Sequence, residues 1–166
     1  MMLGDTIGNL ENEPQFFQNA FSGAAPGDLL IFDAGYAFAD SLDPVDIHRC
    51  DPALSKPVPD GHQRWLGGPI QRYCQGVQNV SFSYRLDVNR PLAGSYGLQF
   101  IAKVQLPGMV MKEFCMHQIR RYQPESLTRC LHNLGWEQVG LFPFGGSNTR
   151  PKGVFVFQKR ASKGLH

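Results

Sequence analysis

Apolar residues near the start of the chain follow first a helical and then a strand pattern. Pro14 suits the first turn of a helix, because its fixed φ fits there and its missing N–H would be unpaired anyway. Ser22-Gly23 ends a helical repeat of apolar side chains at Phe16, Phe17, Ala20 and Phe21. The stretch 28–33 then encloses a nearly continuous apolar run, typical of a strand buried on both faces. The predicted order is loop, helix and buried strand, with Asp33 at the end of the strand.

The next part of the chain predicts short helices and loops. Asp43-Pro44 predicts a short helix, with Asp43 as the N-cap and Pro44 at the first position. The proline-rich stretch 51–61 is expected to be a loop. The stretch 62–75 is expected to form a pair of short helices, because Gly67-Gly68-Pro69 interrupts it. One helix face would then carry Trp65, Leu66, Ile70 and Tyr73.

Three strand patterns come next and are expected to form an antiparallel sheet. The first alternates apolar and polar residues, which is typical of a strand with one covered face. Pro107-Gly108 separates the second pattern from the third, and so short a connection joins antiparallel neighbours. The strands are predicted at 80–88, 96–106 and 109–122.

A helix and two strands are predicted at the end of the chain. Pro124 opens the helix, and Gly135 ends it. Between them lies one apolar stripe, formed by Leu127, Leu131 and Leu134. Two strands, 136–144 and 153–160, then flank a connection rich in Gly, Ser, Asn and Pro, which is typical of a loop. Together these patterns indicate an α/β fold.

The most informative stretch is 2–10, Met-Leu-Gly-Asp-Thr-Ile-Gly-Asn-Leu. Followed by Phe-Phe and then Pro-Gly-Asp-Leu-Leu-Ile-Phe-Asp, it resembles the S-adenosylmethionine-dependent methyltransferases of the class I fold. The resemblance is to the family that includes the histidine Nα-methyltransferases of ergothioneine synthesis, in which a Gly-Ser/Gly-Thr-Ile-Gly-Asn loop follows the fourth strand. The stretch 121–127, followed by Leu-Gly-Trp136, is similar to the elements before the final hairpin of many class I methyltransferases.

This resemblance implies an α/β fold with a partial Rossmann-like class I methyltransferase sheet, late strands only, and an inserted antiparallel β subdomain. Residues 1–40 would hold the end of the family's fourth strand, a helix and its fifth strand. Residues 41–120 would form the inserted subdomain with short helices and antiparallel strands, and residues 121–166 would return to the core with a helix and the final two strands.

The resemblance also implies S-adenosylmethionine as the cofactor of the complete domain. Such a cofactor site needs a glycine-rich turn after the first strand and an acid on the ribose. Neither is found in the sequence, so the isolated chain is expected to bind the cofactor weakly or not at all. A separate chain that completes the sheet is therefore a candidate partner.

Candidate site residues follow from the same resemblance. Asn9 matches the asparagine that holds the amino-acid group of the substrate, and Gly4, Asp5 and Thr6 would border the cofactor. Tyr36 is the aromatic candidate for contact with a small-molecule acceptor. Simpler interpretations stay open, because Asn9 and Thr6 can cap the following helix and Tyr36 can pack in the core.

His117 is the third candidate for the substrate site. In the histidine methyltransferases, a Glu and a Ser on the strand before a Lys-Phe or Lys-Tyr element bind the substrate imidazole. Aligning that element with Arg121-Tyr122 places His117 and Ile119 at those positions, so the sequence departs from the family and the acceptor stays open. His117 is either an acceptor contact or an ordinary strand residue. The implied reaction is N-methylation of an amino-acid-like or other small-molecule acceptor, in which the enzyme mainly positions a neutral nitrogen.

Composition limits the other classes of function. Lys and Arg number 16 against 14 Asp and Glu, and the net charge of +2 is mild for a partner of nucleic acid or membrane. No apolar run reaches the ~18 residues of a transmembrane helix, and a cytoplasmic location is predicted. The 4 cysteines and 5 histidines show no ligand spacing, so no metal site is predicted.

Two alternative functions stay open. The chain could be a non-catalytic binding or scaffold module derived from a methyltransferase, which pairs with a separate chain through an unpaired strand edge. Its sheet could instead bind RNA through basic residues near Tyr84, Tyr96 and Tyr122. These basic residues are Arg85, Arg90, Lys103, Lys112, Arg120 and Arg121. The mild net charge weighs against RNA as a partner.

Overall fold

The computed structural model describes residues 7, 10–39, 41–74, 76–77, 79–89, 92–145 and 152–160. In chain order they form α1 (Glu13–Gly23), β1 (Leu29–Tyr36), α2 (Pro44–Cys50), α3 (Pro52–Ser55), α4 (Asp60–Tyr73), β2 (Asn79–Asp87), β3 (Ser95–Gln105), β4 (Lys112–Tyr122), α5 (Pro124–Asn133), β5 (Trp136–Phe144) and β6 (Lys152–Lys159). The predicted α/β fold is thereby confirmed.

A 6-stranded sheet connects these elements in the order β2-β3-β4-β1-β6-β5. β1 and β4 run parallel, whereas the other neighbouring pairs are antiparallel. The antiparallel subdomain expected from the sequence is present as β2, β3 and β4, and it is continuous with the rest of the sheet. The domain boundaries at residues 40 and 120 stay a prediction.

Helices α1 and α5 cover one face of the sheet where it contains β1 and β6. Asn12 caps α1, because its side chain accepts the Gln15 N–H at 3.0 Å. Side chains alternate along a strand, so Phe32 and Tyr36 of β1 share this face. The hydrophobic cluster here combines Phe17 of α1 with strand residues and with the predicted leucine stripe of α5: Phe32, Phe155, Phe157, Leu127, Leu131 and Leu134. We call this side the helix-covered face.

The opposite face of β2, β3 and β4 carries the remaining helices. Ile47 of α2 packs with Leu98 and Ile119, and Ile70 of α4 packs with Ala102. The alternation predicted for β2 is observed, because successive side chains from Asn79 to Leu86 are exposed and half-buried in turn. The sheet therefore carries helices on different faces at its two ends.

The stretch 51–75 differs from its predicted structure. Asp51 caps a short helix in the expected loop, accepting the Ala53 N–H at 3.0 Å. α4 is one helix with Pro69 inside it, rather than a pair of helices. Its expected apolar face is also divided, since Trp65 is 68% and Tyr73 75% exposed while Ile70 is buried. Gly67 has no Cβ, which lets the Phe82 ring of β2 pack directly against the helix.

Candidate active site

The carboxyl ends of β1 and β4 meet at one edge of the sheet. These two parallel strands pair through Gly35 with Arg121 and through Tyr36 with Tyr122. Ligands of open α/β sheets bind outside the carboxyl ends of the parallel strands. Tyr36 lies at this edge, as expected, whereas the other expected ligand residues, Gly4, Asp5, Thr6 and Asn9, lie outside the described residues.

Tyr36 lies on the helix-covered face at the end of β1. Its ring meets the Phe155 ring edge-on, with centroids 6.0 Å apart. Its hydroxyl oxygen is buried against Gly153, and no residue in the described part of the chain hydrogen-bonds to it. Burial and the nearby charge of Glu125 raise the pKa of Tyr36, so the hydroxyl stays protonated at neutral pH. Tyr36 thus offers an unused hydrogen-bond donor at the ligand edge of the sheet.

Gly153→Ala tests the position of Tyr36. A Cβ at residue 153 would collide with the tyrosine hydroxyl and lie 3.0 Å from a Leu141 methyl group. We expect the free energy of unfolding to fall by about 1–3 kcal/mol, as in other overpacked sites. Urea unfolding followed by circular dichroism measures it. Gly23→Ala is the matched control, because nothing lies within 4 Å of its added Cβ; equal stability of both variants would contradict the observed packing.

Beside Tyr36, side chains at the end of β4 contact the first residue of α1 and residues that precede it. Arg120 forms an ion pair with Glu13, and both side chains are almost fully buried. The Tyr122 hydroxyl donates to Glu13 Oε1 at 3.0 Å, and the carbonyl oxygen of Ile7 lies 3.4 Å from the same hydroxyl. Arg120 Nη2 also donates to the carbonyl oxygen of Glu11 at 3.4 Å. Burial and the Glu13 charge raise the pKa of Tyr122, so its hydroxyl remains a donor. We call Glu13, Arg120 and Tyr122 the loop-side triad.

A second buried cluster lies on the opposite face of β4. The Tyr96 hydroxyl donates to Asp51 Oδ2 at 2.8 Å, and Arg121 Nε is 3.8 Å from the same oxygen. The Arg121 guanidinium also lies 5.4 Å from the centre of the Phe38 ring. Burial, with the Asp51 charge, raises the pKa of Tyr96. We call Asp51, Arg121 and Tyr96 the helix-side triad, because Asp51 caps α3.

These two triads were missed by the sequence reasoning. It grouped Arg120 and Arg121 with the basic residues of a possible RNA-binding surface. A usable signal was present, since adjacent arginines in a strand point to opposite faces and each buried charge needs a partner. The structure contradicts the RNA alternative at these positions, because Arg120, Arg121, Tyr96 and Tyr122 are all buried.

The expected substrate residue His117 is not brought together with Tyr36. It lies on the same face of β4 as Ile119 and Arg121, opposite to the loop-side triad. The Trp65 ring of α4 meets the His117 ring edge-on, with centroids 6.2 Å apart. Two of the other basic residues assigned to RNA, Arg85 and Lys103, form surface ion pairs with Glu113.

Among the described residues, no three His, Cys, Asp or Glu side chains are arranged to hold a metal ion. In the same part of the chain, none of the helices combines the length and the apolar character needed to span a bilayer.

Comparison with known proteins gives structural matches alone. No protein-family model and no curated protein matches the chain. A methyltransferase from Clostridium acetobutylicum that depends on S-adenosylmethionine is 10% identical, with a TM-score of 0.46 over 96% of this chain and 56% of that one. The methyltransferase CcbJ from Streptomyces caelestis is 14% identical, with a TM-score of 0.48 over 95% of this chain and 58% of that one. The glycopeptide N-methyltransferase MtfA is 11% identical, with a TM-score of 0.40 over 95% of this chain and 55% of that one. This chain thus spans between half and three fifths of their length.

Proposed function

We propose that this chain is the C-terminal portion of a class I methyltransferase that uses S-adenosylmethionine to N-methylate an amino-acid-like or other small-molecule acceptor. In this proposal a separate cofactor-binding half completes the sheet, and the isolated chain is inactive. The observation that carries the proposal is an apolar sheet face opposite the helix-covered one.

This face belongs to β1, β6 and β5, and we call it the open face. Strand pairing sets Ile31 opposite Val156 and Phe142 opposite Val154, so their side chains share one side of the sheet. Ile31, Val154 and Val156 are half-buried, and Phe142 is 61% exposed. None of them belongs to a hydrophobic cluster of the described residues. Sheets with parallel strands ordinarily have both faces covered, so an apolar open face favours a further layer.

The ligand roles in the proposal belong to residues at the carboxyl edge. Asn9 and Tyr36 orient the acceptor, with the Tyr36 hydroxyl as the unused donor. Gly4, Asp5 and Thr6 border the cofactor, which supplies an electrophilic methyl group when bound. The described residues do not fit a whole cofactor site, because they contain no glycine-rich turn between a strand and a helix. The proposal therefore assigns most cofactor contacts to the partner half and omits His117, whose ring lies beside Trp65.

The test needs both halves. The genomic DNA upstream is searched in frame for a strand, a glycine-rich turn and a helix, and that segment is produced together with this chain. We expect labelled methyl transfer from S-adenosylmethionine to amino acids with a free amine only when both segments are present. Cofactor binding by the isolated chain would contradict the proposal. Association of the halves without transfer to any acceptor would instead support the scaffold alternative.

Asn9→Ala tests the acceptor site in the paired enzyme. Loss of a side chain that orients the acceptor should raise the KM of the acceptor, or lower kcat, by about 10-fold or more. Asn19→Ala is the matched control, because Asn19 is exposed on α1. Steady-state kinetics with varied acceptor measure the change. Unchanged kinetics for Asn9→Ala would remove this residue from the site.

A further inference from the structure

The end of β4 contacts residues that flank Asn9 in the sequence. Ile7 and Glu11 lie on either side of Asn9 in the sequence. The carbonyl oxygen of Ile7 lies within reach of the Tyr122 hydroxyl, and the carbonyl oxygen of Glu11 accepts from Arg120. Glu13, two residues further along, binds both β4 side chains. Arg120 and Tyr122 of the loop-side triad therefore contact Ile7, Glu11 and Glu13, which lie close together in the sequence.

The hydrogen-bond chemistry of this triad explains why it can hold the segment in one place. Tyr122 has a single O–H, which Glu13 Oε1 accepts at 3.0 Å and the Ile7 carbonyl shares at 3.4 Å. Arg120 has five N–H donors in a rigid fork, so one guanidinium can bind the Glu13 carboxylate and the Glu11 carbonyl together. Ile7 itself is fully buried in the cluster that contains Phe17 and Tyr122. The anchor is thus buried and made of charge-assisted contacts, which are stronger than neutral ones.

We propose that Arg120 and Tyr122 are positioning residues: by holding Ile7, Glu11 and Glu13 against the end of β4, they constrain Asn9, which lies between Ile7 and Glu11 in the sequence. The end of β4 thereby controls the geometry of the acceptor site. The role of Asn9 rests on the proposed function, whereas the anchoring of the segment does not.

The chain offers a matched pair of variants for the test. Tyr122→Phe and Tyr96→Phe each remove one buried hydroxyl that donates to a carboxylate, but on opposite faces of the same sheet. Hydrogen exchange is measured at the amides of residues 7–11 and of α5. We expect Tyr122→Phe to speed exchange at residues 7–11 by about 10-fold, with less than about 2-fold change from Tyr96→Phe. Equal effects of the two variants, or no effect of Tyr122→Phe, would overturn the proposal.

Arginine variants serve if the tyrosine variants do not fold. Arg120→Lys keeps the charge beside Glu13 but loses the fork that reaches the Glu11 carbonyl, and Arg121→Lys is its counterpart on the helix-side triad. Faster exchange at residues 7–11 in Arg120→Lys alone is expected, and equal exchange in the two variants would overturn the anchoring.

Kinetics of the paired enzyme give the functional measurement. Because a misplaced Asn9 binds the acceptor poorly, Tyr122→Phe should raise the KM of the acceptor about 10-fold and leave kcat within about 2-fold. Tyr96→Phe should leave both constants unchanged. Unchanged KM and kcat in Tyr122→Phe, when Asn9→Ala changes either constant, would overturn the positioning role. If the paired halves transfer no methyl group, the proposed function fails, and hydrogen exchange still decides whether the triad anchors the segment.

Discussion

Arg120→Met should destabilise the protein by about 3–5 kcal/mol, because it leaves a buried carboxylate without its counter-charge. Glu13 is fully buried, and Arg120 is its ion-pair partner. The Tyr122 hydroxyl remains in contact with Glu13 Oε1, but one hydrogen bond from an uncharged donor compensates only part of the lost charge interaction. Urea unfolding at pH 7, followed by circular dichroism, measures the difference in the free energy of unfolding.

A double-mutant cycle separates this charge effect from lost packing. Glu13→Gln removes the charge and keeps an oxygen that can accept from Tyr122. The double variant Glu13→Gln/Arg120→Met should therefore be more stable than the sum of the single effects predicts, by about 1–3 kcal/mol. Additive effects, or a loss below about 1 kcal/mol for Arg120→Met, would show that the buried pair is not coupled as its geometry indicates.

Phe32→Ala is the second substitution with a large expected effect. Phe32 is fully buried at the middle of β1, and its ring lies 5.5 Å from those of Phe17 and Phe155 and 6.0 Å from that of Phe157, measured between centroids. Loss of a buried phenylalanine ring typically costs about 3–5 kcal/mol through lost burial and the cavity that remains. Thermal and urea unfolding both measure this loss.

Phe142→Ala is the matched control on the open face. Because Phe142 is 61% exposed, its loss should change the stability of the isolated chain by no more than about 0.5 kcal/mol. The same substitution should weaken association with the cofactor-binding half, which the proposal places on this face. A large loss of stability in the isolated chain would mean that the open face is already covered.

The two triads give β4 a specific place between the layers of the protein. Arg120 and Arg121 are adjacent in the sequence, yet they bind carboxylates on opposite faces of the sheet. Glu13 lies in the first turn of α1, and Asp51 caps α3. Buried charges tolerate few alternative partners, since an unpaired one is costly. The register of β4 is therefore tied to both helical layers.

Much of the fold could be predicted because local patterns and tertiary structure agree. The apolar run in β1, the alternation in β2 and the leucine stripe of α5 each report which faces of an element are covered. Pro124 and Gly135 mark the limits of α5, and Gly135 adopts a φ of 96°, which suits glycine at the end of a helix. Such signals depend on each element alone and need no knowledge of its neighbours.

Local patterns did not predict the contacts of helix α4 and of His117. Gly67-Gly68-Pro69 predicts a break, yet the helix continues through these residues, and Gly67 lies against the Phe82 ring of a strand that follows later in the chain. His117 matches a substrate position in the aligned pattern, and its ring meets that of Trp65 in α4. Both contacts join residues that are far apart in the sequence, so local patterns cannot predict them.

The amino-acid sequence by itself determined the α/β class, the order of the strands and the buried character of β1, because hydrophobic periodicity and turn residues act locally. Only the tertiary structure decided which carboxylate each arginine of β4 meets, and that the Tyr122 hydroxyl contacts Ile7 and Glu13. The spacing of residues in a strand shows that neighbouring side chains point to opposite faces. It does not show which residues pack against either face, since that depends on how distant elements pack.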